Sequence, residues 1–150
     1  MAAYRRVGFT LVEIMIVVVI MAVLAATIIP QFTNSATDAK ISSLSFNLHT
    51  LRSQIELYKL QHSGTPPTLT AGALPQMTSY TDASGDAQAT SDATHIYGLY
   101  LSKMPANSID AKNGIVTTST WPGTATSDGG WLYQGTTGNI APNTVGHEAD

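Results

Sequence analysis

The chain has no cysteine among its 150 residues. No disulfide, thiol nucleophile or thiolate metal site can form, so packing and hydrogen bonds alone must hold whatever folds here. Charge is scarce as well: charged residues make up 11 % of the chain and the formal net charge is −3. No basic field exists to draw nucleic acid, and no nucleic-acid partner is expected. The four histidines, His49, His62, His95 and His147, lack metal-ligand spacing. His49 and His62 fall on a helical pattern, where surface positions are the expectation. No serine sits in a nucleophile elbow, no glycine loop precedes a helix to cradle phosphate, and no carboxylate pair stands out for acid–base work. The expectation is a protein that is not an enzyme.

What the sequence does have is one long apolar run, GFTLVEIMIVVVIMAVLAATIIP, from Gly8 to Pro30. Its length matches the roughly 20 residues a helix needs to cross a bilayer. Leucine, isoleucine, valine and phenylalanine each favour insertion by about 0.3 to 0.6 kcal/mol, and those of the run together by about 4 to 8 kcal/mol. One acid, Glu13, interrupts it near the start. Arg5 and Arg6 precede the run and the next basic residue is Lys40. The positive-inside bias therefore places the N-terminus in the cytoplasm and the rest of the chain across the membrane. An acid in lipid marks a function and seeks a partner. If the chain were cut after Gly8, Phe9 would acquire a free α-amine, largely cationic at neutral pH. That amine, in the same chain or on a neighbour, is the natural partner for Glu13. Other readings stay open: a secretory signal peptide cut near Ala25 or Ala26, which an acid inside the apolar core argues against; a plain signal anchor; and a twin-arginine signal at Arg5-Arg6.

Gly8-Phe9-Thr10-Leu11-Val12-Glu13, followed by the unbroken apolar run and Pro30, resembles the N-terminal signature of type IV pilins and type II secretion pseudopilins. The resemblance implies cleavage between Gly8 and Phe9 by prepilin peptidase and N-methylation of Phe9 by the same enzyme. It gives Glu13 the role of recognising a neighbour's terminal amine during assembly. Thr10, Leu11 and Val12 match motif positions without a chemistry of their own. The implied partners are other copies of the chain in a filament, other pseudopilins, the peptidase, an inner-membrane assembly platform with its ATPase, and membrane lipid before assembly. The implied place is the bacterial inner membrane, crossed once, with the head and the assembled filament in the periplasm. Two machines compete: a type II secretion pseudopilus and a type IV pilus serving adhesion, twitching or DNA uptake. The small size, the lack of cysteine and a short sheet favour the first, in the manner of a major pseudopilin.

The remaining chain reads in order. Residues 1–8 form a leader, 9–30 the membrane and assembly helix, 31–63 an amphipathic helix and 64–150 a globular head. Pro30 removes a backbone hydrogen bond inside a helical pattern and is expected to kink it, the alternative being that it ends the helix. Ile41, Leu44, Leu48, Leu51, Ile55 and Tyr58 recur at spacings of three and four. This stripe packs under a sheet or zips as a coiled coil. Gly64 and Pro66-Pro67 stop the helix. Ala73 to Tyr80 suits a short helix, and Thr81 to Thr94 an exposed loop. Asp82, Asp86 and Asp92 make that loop oxygen-rich, as calcium sites are, but their spacing fits no EF-hand, and no cofactor is expected. Ile96, Tyr97, Leu99, Tyr100 and Leu101 are expected to dock on the long helix. The final third predicts an antiparallel sheet over Ile115–Thr120, Gly130–Gln134 and Asn139–Ala141. GGWLYQGTTGNIAPN resembles the head of small major pseudopilins, whose Asp- and Gly-rich calcium loop is not matched by Asp128, Gly129 and Gly130. The predicted class is α+β: a long kinked N-terminal helix against a small antiparallel sheet.

Overall fold

A computed structural model describes residues 8–126 and 128–147. The leader up to residue 7, with Arg5 and Arg6, and Ser127 lie outside the described residues. The order of elements is α1 (Leu11–Gln61), α2 (Pro75–Thr78), β1 (Tyr80–Thr81), β2 (Ala87–Gln88), β3 (Ile115–Thr117), β4 (Trp131–Gln134) and β5 (Asn139–Pro142). The α+β class and the long N-terminal helix follow the sequence expectation. Two compact units divide at residues 39 and 40.

In the first unit α1 is exposed along its whole length, its apolar residues included. Pro30 stands inside the helix and does not end it. The hydroxyls of Thr27 and Thr33, on either side of the proline, bond back to the carbonyls of Leu24 (2.9 Å) and Ile29 (3.2 Å). Neither hydroxyl reaches the Ala26 carbonyl, the one whose helical donor Pro30 removes.

In the second unit the stripe on α1 finds its cover. Leu44, Leu48, Leu51, Ile55 and Tyr58 are buried against Leu74, Met77, Tyr100, Leu101, Ile115, Trp131, Tyr133 and Ile140. Ile41, at the head of the predicted stripe, remains exposed. The zipper reading is set aside, because the stripe is used within its own chain. Phe46, Leu57 and Leu60 stay exposed as well. The Gly64 amide donates to the Lys59 carbonyl at 2.7 Å, the bond that closes a helix through a left-handed glycine (φ 82°).

The sheet departs from the purely antiparallel expectation. β3 runs parallel to β4, pairing Ile115 with Trp131 and Thr117 with Tyr133, while β4 and β5 are antiparallel. β-Branched composition marks a strand but carries no direction. Direction follows from the connection, and the 118–130 segment is long enough to cross over and return in parallel. β3 also ends at Thr117, short of the predicted Thr120. β5 extends onto Pro142, which an edge strand tolerates. Between β4 and β5, Gly138 (φ 82°) presses on the helix: a Cβ there would come 3.1 Å from Pro66 and 3.2 Å from Ile55.

Two other expectations are corrected. Thr81 to Thr94 is not simply an exposed loop: β1 and β2 form a two-stranded ribbon, and the buried Thr81 exchanges backbone hydrogen bonds with Tyr97. Of the apolar patch after His95, Tyr100 and Leu101 are buried and Tyr97 packs on the core, but Ile96 and Leu99 face outward. The bridge to Thr81 fixes the pleat, and the pleat decides which of these side chains turns in.

Candidate functional site

The N-terminal segment is built around a reciprocal cap. Gly8, Phe9 and Thr10 precede the helix and α1 begins at Leu11. Thr10 is the residue sequence reasoning passed over. Its Oγ1 accepts a hydrogen bond from the Glu13 amide (3.2 Å), while Glu13 Oε2 accepts from the Thr10 amide (2.8 Å) and hydroxyl (2.9 Å). This is a capping box, Thr-x-x-Glu, satisfying amides that a helix start otherwise leaves unpaired. The signal was legible: Thr10 and Glu13 stand three apart at the head of an apolar run. Glu13 thus has a structural task in its own chain, and an acid in the first turn suits the positive end of the helix dipole. The task uses one carboxylate oxygen. Oε1 has no hydrogen-bond partner among the described residues.

Gly8 and Phe9 lie outside helical hydrogen bonding, and Phe9 is 84 % exposed. From Leu11 to Ile29 the large apolar side chains are all exposed, so this surface has no cover within the described chain. It is long and apolar enough to cross a membrane once.

In the second unit the acidic loop spends its carboxylates on itself. Asp82 Oδ1 accepts from the amides of Ser84 (2.9 Å) and Asp86 (2.9 Å), and the Ser84 hydroxyl donates to it at 2.7 Å. These bonds, the hydroxyl's foremost, hold Asp82 below the usual carboxylate range. Asp92 Oδ1 accepts from the amides of His95 and Thr94, each at 2.8 Å, and stands 3.0 Å from His95 Nδ1. The His95 amide is the main cause that pulls Asp92 low, and Asp92 in turn raises His95. No group of three or more potential metal-ligating side chains occurs among the described residues. At the other predicted acid, the carbonyls of Asp128 and Gly129 both receive the Asn143 side-chain amide.

His62 corrects the surface expectation: it is buried, whereas His49 is exposed as predicted. Asn107 was read only as part of a turn. It is fully buried and donates to the Gly130 carbonyl (2.9 Å) and the Thr144 hydroxyl (2.8 Å). A single asparagine in a turn gives no sign of such long-range bonds.

No family model matches the chain, and no solved structure matches it. Curated relatives do. The chain is 38 % identical over 61 residues to the type II secretion system core protein G of Pseudomonas aeruginosa, covering 41 % of this chain and 43 % of that one. It is 39 % identical over 64 residues to the protein of the same name from Dickeya chrysanthemi, covering 43 % and 42 %. A fimbrial protein of Neisseria meningitidis is 28 % identical over 110 residues, covering 73 % of this chain and 52 % of its own. The chain spans less than half the length of the two secretion proteins it matches. None of these names is that of an enzyme. With its exposed apolar helix, its acid in the first turn and these relatives, the chain is similar to type IV pilins and type II secretion pseudopilins.

Proposed function

We propose that this chain is a structural subunit of a type II secretion pseudopilus, held in the inner membrane by the first part of α1 and then drawn into a filament. The observation that carries this reading is the surface from Leu11 to Ile29, apolar, exposed throughout and headed by one acid. Lipid covers it before assembly, and neighbouring copies cover it afterwards. Exchange of lipid for protein gives little hydrophobic gain, so packing and polar contacts have to drive it. The contact is head-to-tail and does not close on itself, which makes a fibre.

In this reading prepilin peptidase cuts between Gly8 and Phe9, ahead of the helix, where no helical hydrogen bonds need breaking. The cut frees an α-amine on Phe9, which the same enzyme methylates. Glu13 keeps its bonds to Thr10 through Oε2 and offers Oε1 to the amine of an adjoining subunit. A subunit out of register leaves that charge unanswered in an apolar bundle, and is rejected. Pro30 lets the helix bend as it packs. The N-terminus lies in the cytoplasm and the head in the periplasm, where an assembly platform, its ATPase and other pseudopilins act on the chain.

Replacing Glu13 by glutamine tests the charge apart from the cap. Glutamine still accepts from Thr10 but has no charge, so Glu13→Gln inserts in the membrane and fails to form filaments. Alanine at the same position loses both functions. Normal filament yield from the glutamine variant removes the charge from the mechanism.

The match to a fimbrial protein over 73 % of this chain favours a second reading, a type IV pilus subunit. Deletion of the gene separates the two. Loss of secreted enzymes with intact twitching and transformation supports the pseudopilus; the reverse supports the pilus.

A further inference from the structure

Of the six asparagines in the chain, Asn113 alone is followed by glycine. A side-chain amide in that position is open to attack by the next main-chain nitrogen, because glycine has no Cβ to crowd the approach. The fold leaves both reacting groups accessible. Asn113 is exposed and Gly114 is partly so. Among the described residues neither the Asn113 side-chain amide nor the Gly114 N–H has a hydrogen-bond partner. The site lies wholly in the second unit and is independent of the filament reading.

The other asparagines are withheld from this chemistry. Asn107 and Asn143 are buried, with their side chains engaged by Gly130, Thr144 and Thr126. Asn47 donates to the Ala106 carbonyl at 3.0 Å and Asn139 to Gln134 Oε1 at 3.3 Å, and a bulky leucine or isoleucine follows each. Asn34 lies inside α1, where the next amide belongs to the helical ladder. Asn113 also stands between two fixed points. On one side the Lys112 carbonyl accepts from the Asn107 amide at 2.8 Å. On the other the Gly114 carbonyl accepts from the amides of Gly130 (2.8 Å) and Trp131 (3.1 Å), and the Ile115 amide donates to the Gly72 carbonyl (3.0 Å). These bonds seat the start of β3.

We propose that Asn113 is a self-modification site, at which the folded head loses an amide and, through isoaspartate, its hold on the start of β3. The Gly114 nitrogen gives its proton to solvent base and attacks Asn113 Cγ. The bond from Cγ to Nδ2 breaks, ammonia leaves with a proton from solvent, and a cyclic imide closes. Water then adds to one of the two imide carbonyls. Opening at Cγ restores the main chain with aspartate in place of asparagine. Opening at the main-chain carbonyl leaves the chain running through Cβ and Cγ, as isoaspartate. Ammonia goes out and water comes in, and nothing is oxidised or reduced. Isoaspartate lengthens the main chain by one carbon between the held carbonyls of Lys112 and Gly114. The bonds of Gly114 and Ile115 to Gly130, Trp131 and Gly72 have to yield to that extra length.

The full chain in detergent micelles, incubated in mildly alkaline buffer, is expected to show the mass change of an amide turned to an acid, located at Asn113 by peptide fragmentation. The same chain unfolded in guanidinium chloride sets the reference, and the folded chain is expected to convert at a similar rate, because no hydrogen bond of the fold holds either group back. Gly114→Ala fits the fold, its Cβ standing 3.5 Å from Gly129 Cα, and is expected to lose most of the conversion. Chains carrying isoaspartate, separated by chromatography, are expected to exchange the amide hydrogens of Ile115, Gly130 and Trp131 faster than the unmodified chain, while residues 44–58 of α1 keep their protection. A folded chain that keeps its Asn113 amide while the unfolded one loses it overturns the proposal. So does an isoaspartyl chain in which exchange at those three amides is unchanged.

Discussion

Asn107 offers a sharp test of how the head is held. It has no exposed surface. Its side chain donates to the Gly130 carbonyl and the Thr144 hydroxyl, and accepts from the Ile109 amide at 3.0 Å. Alanine there removes all three bonds. Gly130 keeps a second donor in the Asn143 amide at 2.9 Å, so one acceptor is not orphaned, but the Ile109 amide loses this partner. Three bonds at about 0.5 to 1.5 kcal/mol each, less the part that Asn143 covers, give a loss of about 1 to 4 kcal/mol. Against a domain stability of about 5 to 15 kcal/mol this is a large fraction. With a urea slope of about 2 kcal/mol per molar, the midpoint falls by about 0.5 to 2 M. Trp131 is the reporter: it is fully buried and its indole N–H donates to the Pro105 carbonyl, two residues from Asn107. Trp121→Phe silences the other tryptophan. Asn107→Asp sharpens the test. An ionised aspartate still accepts from Ile109 but turns oxygen toward the Gly130 carbonyl and donates to neither former acceptor. It is expected to be less stable than the alanine variant at neutral pH. An aspartate variant with the unsubstituted midpoint refutes the argument.

Other outcomes follow from the same contacts. A Cβ on Gly130 would stand 2.0 Å from the Lys112 carbonyl oxygen, so Gly130→Ala displaces the 107–112 turn and lowers the melting temperature. Gly135→Ala, whose Cβ meets only the Tyr133 ring at 4.0 Å, serves as the control and leaves it nearly unchanged. Gly8→Ala is expected to leave an uncleaved precursor, read by mass spectrometry of membrane protein; a mature end at Phe9 in that variant removes Gly8 from processing.

The reading of the first forty residues needed little beyond the chain itself. An apolar run of membrane length is visible residue by residue, and the acid in it stands out because almost nothing else there is polar. Even the Thr10 cap could have been read from the spacing of threonine and glutamate. These features are local, set by helical periodicity and by neighbours three or four positions away. The stripe on α1 was legible for the same reason, from Leu44 to Tyr58.

The head was legible only in part. Strand-forming composition located β4 and β5 but could not give β3 its direction, which depends on where the 118–130 segment returns. His62 was read as a surface residue because helical periodicity ends at Gln61 and says nothing about what lies over the helix end. Thr81, Asp82 and Tyr97 arrive there from about twenty or more positions away. Sequence by itself determined the apolar helix, its acid and its cap. Tertiary structure alone decided which polar side chains, His62, Asn107 and Asn143, are buried. The physical reason is that a buried polar group needs partners, and in the head those partners come from distant parts of the chain.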